Sequence, residues 1–162
     1  MMSEKQDGRG GYLLLEALLG VTVVTLFAGL LTLGYGGLVR HVARLQLETV
    51  TNGFVLDLQQ IRADSIFRSR PARESTSIYL YKDNRHGYRI LRGTNEVRRR
   101  DFLADYGTAV YFAAMPFQEI RFTTLGSPRS TGIFTLAVKG FPGLKKQVEI
   151  QPVTGRIKVT DG

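Results

Sequence analysis

The chain of 162 residues has no cysteine, which excludes disulfide stapling, thiolate metal sites and a thiol nucleophile. Histidine is scarce: His41 and His86 are far apart in sequence, and the suggestive acid near His86 is Asp83. That set is too poor for a metal site, and a loop histidine is ordinarily just solvated. Serine, histidine and aspartate all occur, but no Gly-x-Ser-x-Gly elbow presents a nucleophile. Gly8-Arg9-Gly10-Gly11 follows no strand and is not a phosphate-cradling loop. Nothing here reads as an enzyme, and no cofactor or metal is expected. The last absence is positional: from Ala17 to Val39 there is no charged side chain.

That uncharged run of about 23 residues exceeds the ~20 needed to cross a bilayer as a helix. A single carboxylate, Glu16, stands at its front edge. Such an acid is expensive in lipid unless a partner meets it. A secretory signal would carry a basic leader, a shorter apolar core and a cleavage site after that core. Here Glu4, Lys5, Asp7 and Arg9 cancel, and the apolar run is too long. A plain bitopic anchor would have no need of Glu16.

The junction Gly11-Tyr12-Leu13-Leu14-Leu15-Glu16 resembles the class III signal of type IV pilins and type II secretion pseudopilins. That family usually has Phe and Thr where this chain has Tyr12 and Leu13. The resemblance implies cleavage between Gly11 and Tyr12 by the prepilin peptidase, then N-methylation of Tyr12. It also implies that Glu16 neutralises the terminal amine of a neighbouring subunit during filament assembly. Further implied partners are other pilins or pseudopilins and an inner-membrane assembly platform. The physics agrees, since an ammonium and a carboxylate attract strongly in low dielectric and each alone is costly there.

Past the membrane segment the helix continues. Leu47, Val50, Phe54, Leu58, Ile61 and Ser65 recur at three- and four-residue steps, an apolar stripe of helical period. One glycine and no proline lie between Arg44 and Phe67, and Pro71 is expected to end the helix. The pair Gly36-Gly37 is the expected hinge, because glycine costs up to ~1 kcal/mol against alanine in a helix. From Ser75 onward the pattern alternates. Strands are expected at 77–81, 88–92, 96–103, 108–113, 118–124, 132–138, 148–151 and 155–160, with no further helix. The expected fold is α+β and pilin-like: a long N-terminal helix, membrane-spanning then amphipathic, packed on a small antiparallel β head. The parts are a leader over 1–11, a membrane and assembly helix over 12–39, its amphipathic continuation over 40–70, and the head over 71–162.

Ile61-Arg62-Ala63-Asp64-Ser65-Ile66, Phe122-Thr123-Thr124-Leu125-Gly126 and Thr154-Gly155-Arg156-Ile157-Lys158-Val159 resemble the GspH/FimT branch of minor pilins. This implies a minor pseudopilin of a type II secretion or type IV pilus-type machine. The resemblance also implies a single pass of the inner membrane, with the leader cytoplasmic and the head outside. The charge count, Lys5 and Arg9 against Arg40 and Arg44, favours neither orientation.

The net charge is +8, all of it beyond the membrane segment, which points to an acidic partner. Basic groups gather at Arg62, Arg68, Arg70 and Arg73; at Arg89, Arg92, Arg98, Arg99 and Arg100; and at Lys139, Lys145, Lys146, Arg156 and Lys158. A charge group is usually a solvated face. The alternative is a grip on a phosphate backbone. Some members of the branch hold DNA with a Gly-Arg-x-Arg element, which here reads Gly155-Arg156-Ile157-Lys158. Lysine keeps the charge and loses the planar fork. The DNA-binding candidates are Arg156, Lys158, Lys145 and Lys146, with Tyr79, Tyr81, Tyr88, Tyr106 and Tyr111 as stacking surfaces unless they pack in the core. A second alternative is an uncleaved, membrane-anchored basic adaptor.

Overall fold

The computed structural model describes residues 10–68, 75–83, 85–107 and 109–162. Residues 1–9 of the expected leader, the expected helix stop at Pro71, and Arg70 and Arg73 lie outside the described residues. The chain divides into two compact units, Met1–His41 and Val42–Gly162.

Helix α1 covers Gly10–Phe67. Gly36 and Gly37 are both helical, so the hinge expected there does not unwind the helix. An unwound turn in an apolar segment strands backbone polar groups, a larger cost than glycine propensity. In the second unit, Ala43, Leu47, Val50, Phe54, Leu58 and Ile61 are buried, which is the stripe read from spacing. Ser65, the last member of that stripe, is only half-buried.

Two four-stranded antiparallel sheets receive the stripe. The first holds β1 (Thr76–Leu80), β2 (Gly87–Arg92), β3 (Asn95–Asp101) and β5 (Glu119–Arg121) in the order β3-β2-β1-β5. The second holds β4 (Val110–Ala114), β6 (Gly132–Val138), β7 (Phe141–Ile150) and β8 (Ile157–Asp161) in the order β4-β6-β7-β8. Alternate residues of each sheet point to one core: Ile78, Leu80, Tyr88, Ile90 and Ile120 from the first, and Val110, Phe112, Phe134, Leu136, Val148 and Ile150 from the second. Phe54 is 0% exposed. Its ring meets Tyr88 at 5.2 Å, Phe112 at 5.3 Å and Phe134 at 5.9 Å, all edge-to-face. The quadrupoles of the rings favour that arrangement.

Four expectations need correction. A short helix, α2 (Phe102–Tyr106), cuts the strand expected to reach Leu103. Asp101 caps it by accepting from the backbone N–H groups of Leu103 and Ala104 at 3.0 and 3.2 Å, and Gly107 closes it in the left-handed region at φ 60. The strand expected at 148–151 is the end of a ten-residue strand. Pro142, Gly143 and the lysines mask its first half, because those side chains are exposed or half-buried there. The strand expected over 118–124 shrinks to Glu119–Arg121, because Thr123 N–H turns to the Ser127 carbonyl at 2.8 Å. The last strand starts at Ile157, after Gly155 at φ 62.

Phe54→Ala is expected to destabilise the second unit by about 3–5 kcal/mol, the usual cost of emptying a buried ring site. Chemical denaturation of the full chain in mild detergent, followed by tyrosine fluorescence, measures this. A loss below about 1 kcal/mol would contradict the central place given to the ring.

Candidate functional site

The front of α1 is a bare apolar rod. The large side chains from Tyr12 to Leu31, and Tyr35 and Leu38, are exposed. It is one helix long and apolar enough to cross a membrane, near the N-terminus. Two of its threonine hydroxyls are satisfied within the helix: Thr22 and Thr25 donate to the carbonyls of Leu18 and Val21, each at 2.7 Å. Glu16 is different. It is exposed, and no described residue offers it a hydrogen bond or ion pair. Gly11 and Tyr12 lie in the first turn of α1. Tyr12 and Glu16 are therefore one turn apart on the same helix face, about 6 Å along the axis.

The second unit holds a buried carboxylate that sequence reasoning missed. Asp57 is 3% exposed. It accepts from the Tyr88 hydroxyl at 2.7 Å, from Arg100 Nε at 3.3 Å and from an Arg98 terminal nitrogen at 3.4 Å. The signal was present: Asp57 is three residues after Phe54, on the apolar face of the stripe. Burial pushes the Tyr88 phenol far above its ordinary value, and the bond to Asp57 adds to this. Burial would lower the Arg100 value, but Asp57, joined by Tyr88 and Tyr106, outweighs it and the net shift is upward. The network is a structural clamp, joining the helix to β2 and β3 through groups that would be costly if left unpaired.

The basic candidates do not share one environment. Lys146 turns toward α1 and is tied to Asp161 at 2.9 Å and Glu48 at 4.0 Å; its hydrogen bond holds the Asp161 carboxyl below its ordinary range. Lys145 is exposed. Lys158 is exposed and lies directly across from Glu149 in the β7–β8 register. Four residues of strand separate Lys145 from Glu149, about 13 Å. Arg156 is exposed before β8, where its carbonyl accepts from Gln151 N–H at 2.9 Å. Gly155 is buried, and a Cβ there would run into the Gly126 carbonyl oxygen. Arg62 Nε donates to the same oxygen at 3.3 Å. The two segments singled out in sequence, Thr123–Gly126 and Thr154–Arg156, therefore dock on each other at the end of α1.

The second arginine group splits by strand parity. Arg98 and Arg100 face the core side and Asp57, while Arg89 and Arg99 face outward with Tyr79 and Tyr81. Tyr88 is buried and is not a stacking surface. His86 Nδ1 lies 2.9 Å from the Val110 carbonyl. Among the described residues no group of three or more His, Cys, Asp or Glu could hold a metal ion.

Comparison with protein-family models, with curated proteins and with solved structures finds no match to this chain. The class the geometry defines is an α+β protein, with a long N-terminal helix whose second part packs on two small antiparallel sheets.

Tyr88 supplies a pH test. Its ionisation is pushed up in the fold, so the phenol is kept while an unfolded tyrosine ionises near 10.0. The folded state then holds more protons, and stability falls as pH rises above about 10. Denaturation curves between about pH 9 and 11 should show this fall. In Tyr88→Phe the slope should be shallower by up to about 1.4 kcal/mol per pH unit, one proton's worth. Equal slopes would contradict the buried phenol.

Proposed function

We propose that the chain is a minor pseudopilin: a bitopic subunit cut between Gly11 and Tyr12, methylated on Tyr12, and built into a short filament of a type II secretion or type IV pilus-type machine. The observation that carries this reading is Glu16, one acid at the front of the exposed apolar stretch of α1, with no partner among the described residues. Before assembly the rod anchors the subunit in the inner membrane, with the leader cytoplasmic and the head outside. During assembly the terminal amine of a neighbouring subunit meets Glu16. At about 4 Å and an effective dielectric of about 20, such a pair gains about 4 kcal/mol. Greasy helices pack without a strong preference for register, and a charge pair supplies one. The proposed partners are the prepilin peptidase, other pilins or pseudopilins, and the assembly platform.

The DNA-capture alternative rests on Arg156, Lys158 and Lys145, with Lys146 already engaged by Asp161. A gel shift of the full chain in detergent tests it: no retardation of duplex DNA at low salt ends that reading.

Two measurements test the proposal. Mass spectrometry of the protein from cells containing the peptidase should find a chain beginning at methylated Tyr12. An intact Met1 would favour the uncleaved adaptor instead. Glu16→Gln and Glu16→Ala should insert normally yet lose incorporation into filaments by at least about tenfold, the loss of about 1.4 kcal/mol or more. Variants that co-polymerise like the wild type would overturn the reading.

A further inference from the structure

The first sheet leaves its longest edge open. Strand β3 pairs with β2 on one side, and among the described residues no strand pairs with its other side. Residues Asn95 to Arg99 are exposed along it, with Val97 at 54%. An exposed edge presents unpaired backbone donors and acceptors, a template for another strand. Charged side chains on such an edge ordinarily discourage pairing. Here the strand carries Arg98, Arg99 and Arg100 against Glu96 and Asp101, and the arginine left without an acid decides what can pair.

Beside this edge, Arg89 and Arg99 stand directly opposite each other across the β2–β3 register. Like charges in that position are destabilising. Both guanidiniums lie over aromatic faces: Arg89 is 4.8 Å from the Tyr79 ring centroid and Arg99 is 5.5 Å from that of Tyr81. The rings offset part of the repulsion and hold the two cations side by side on the outer face. Acids are in short supply. Arg98 and Arg100 share Asp57, and Arg89 reaches Glu96 only at 4.0 Å. Arg99 has no carboxylate within 4.0 Å among the described residues. Asp101 is committed to capping α2.

We propose that the β3 edge receives an extended acidic segment of a partner protein by strand addition. Backbone hydrogen bonds to β3 supply the pairing, and a carboxylate of the incoming strand opposite Arg99 draws that guanidinium toward the edge on the outer face, with Arg89 one strand further in along the same row. A strand places every second side chain on one face, so an alternating acidic and apolar segment satisfies both demands at once. The surface is independent of Glu16 and of filament assembly, and either idea can fail alone.

The test uses the full chain in detergent micelles at low salt. The probe is a fluorescent peptide of about seven residues alternating Glu and Val, matching the seven residues of β3, and anisotropy reports binding. Binding is expected, with at least about fivefold loss in Arg99→Glu, because a like charge then faces the peptide. The same peptide N-methylated at alternate backbone nitrogens should lose binding to a similar degree, because it cannot form the ladder. An alternating Lys and Val peptide should not bind. Several results would overturn the proposal: no binding of the acidic peptide, equal binding of its N-methylated form, or no change in Arg99→Glu despite a folded head by circular dichroism. An Arg99-dependent preference for a single-stranded oligonucleotide would assign the face to nucleic acid instead, and concentration-dependent dimerisation abolished by Arg99→Glu would assign it to a second copy.

Discussion

One aromatic ring organises the second unit. Phe54 stands on a helix with no sheet of its own, and its edges and face meet Tyr88 from one sheet and Phe112 and Phe134 from the other. Each sheet is four short strands with one apolar face, and neither is stable with that face in water. The helix supplies the missing surface for both. Leu47 and Val50 lead into the ring and Leu58 and Ile61 lead away from it, so the amphipathic part of α1 is the spine of the core.

Beside that ring sits the polar counterpart of the same idea. Asp57 is buried, yet it accepts from a phenol and two guanidiniums. Apolar contact alone fixes poorly how a helix slides along a sheet, because leucine and isoleucine tolerate small shifts. A carboxylate with three directed donors does not. The clamp thus sets the height of α1 against β2 and β3, while Phe54 sets its depth. The same division recurs in the proposed assembly, where an apolar rod supplies association and Glu16 supplies register.

The stripe from Leu47 to Ile61 and the strand at 132–138 were legible because each repeats one period over several turns or pleats. The strand over Phe141–Ile150 was legible only at its end, since its exposed outer residues include proline, glycine and lysines. Helix α2 was hidden because five residues cannot show a helical period; only the Asp101 and Gly107 caps announce it. Among the candidate site residues, Glu16 stands out in sequence because it is isolated by chemistry. Asp57 was overlooked because a single acid in an amphipathic helix reads as its wet face, though its spacing from Phe54 puts it on the dry one.

Sequence by itself determined the apolar span, the position of Glu16 at its front and the change of period from helix to strands, because these are local patterns of side-chain chemistry. Tertiary structure alone decided how the cations are spent. Arg98 and Arg100 turn inward to Asp57 and Lys146 to Asp161, while Arg89 and Arg99 are left facing out beside an open edge. Strand parity and register assign those directions, and both depend on which strands pair, which no local pattern encodes.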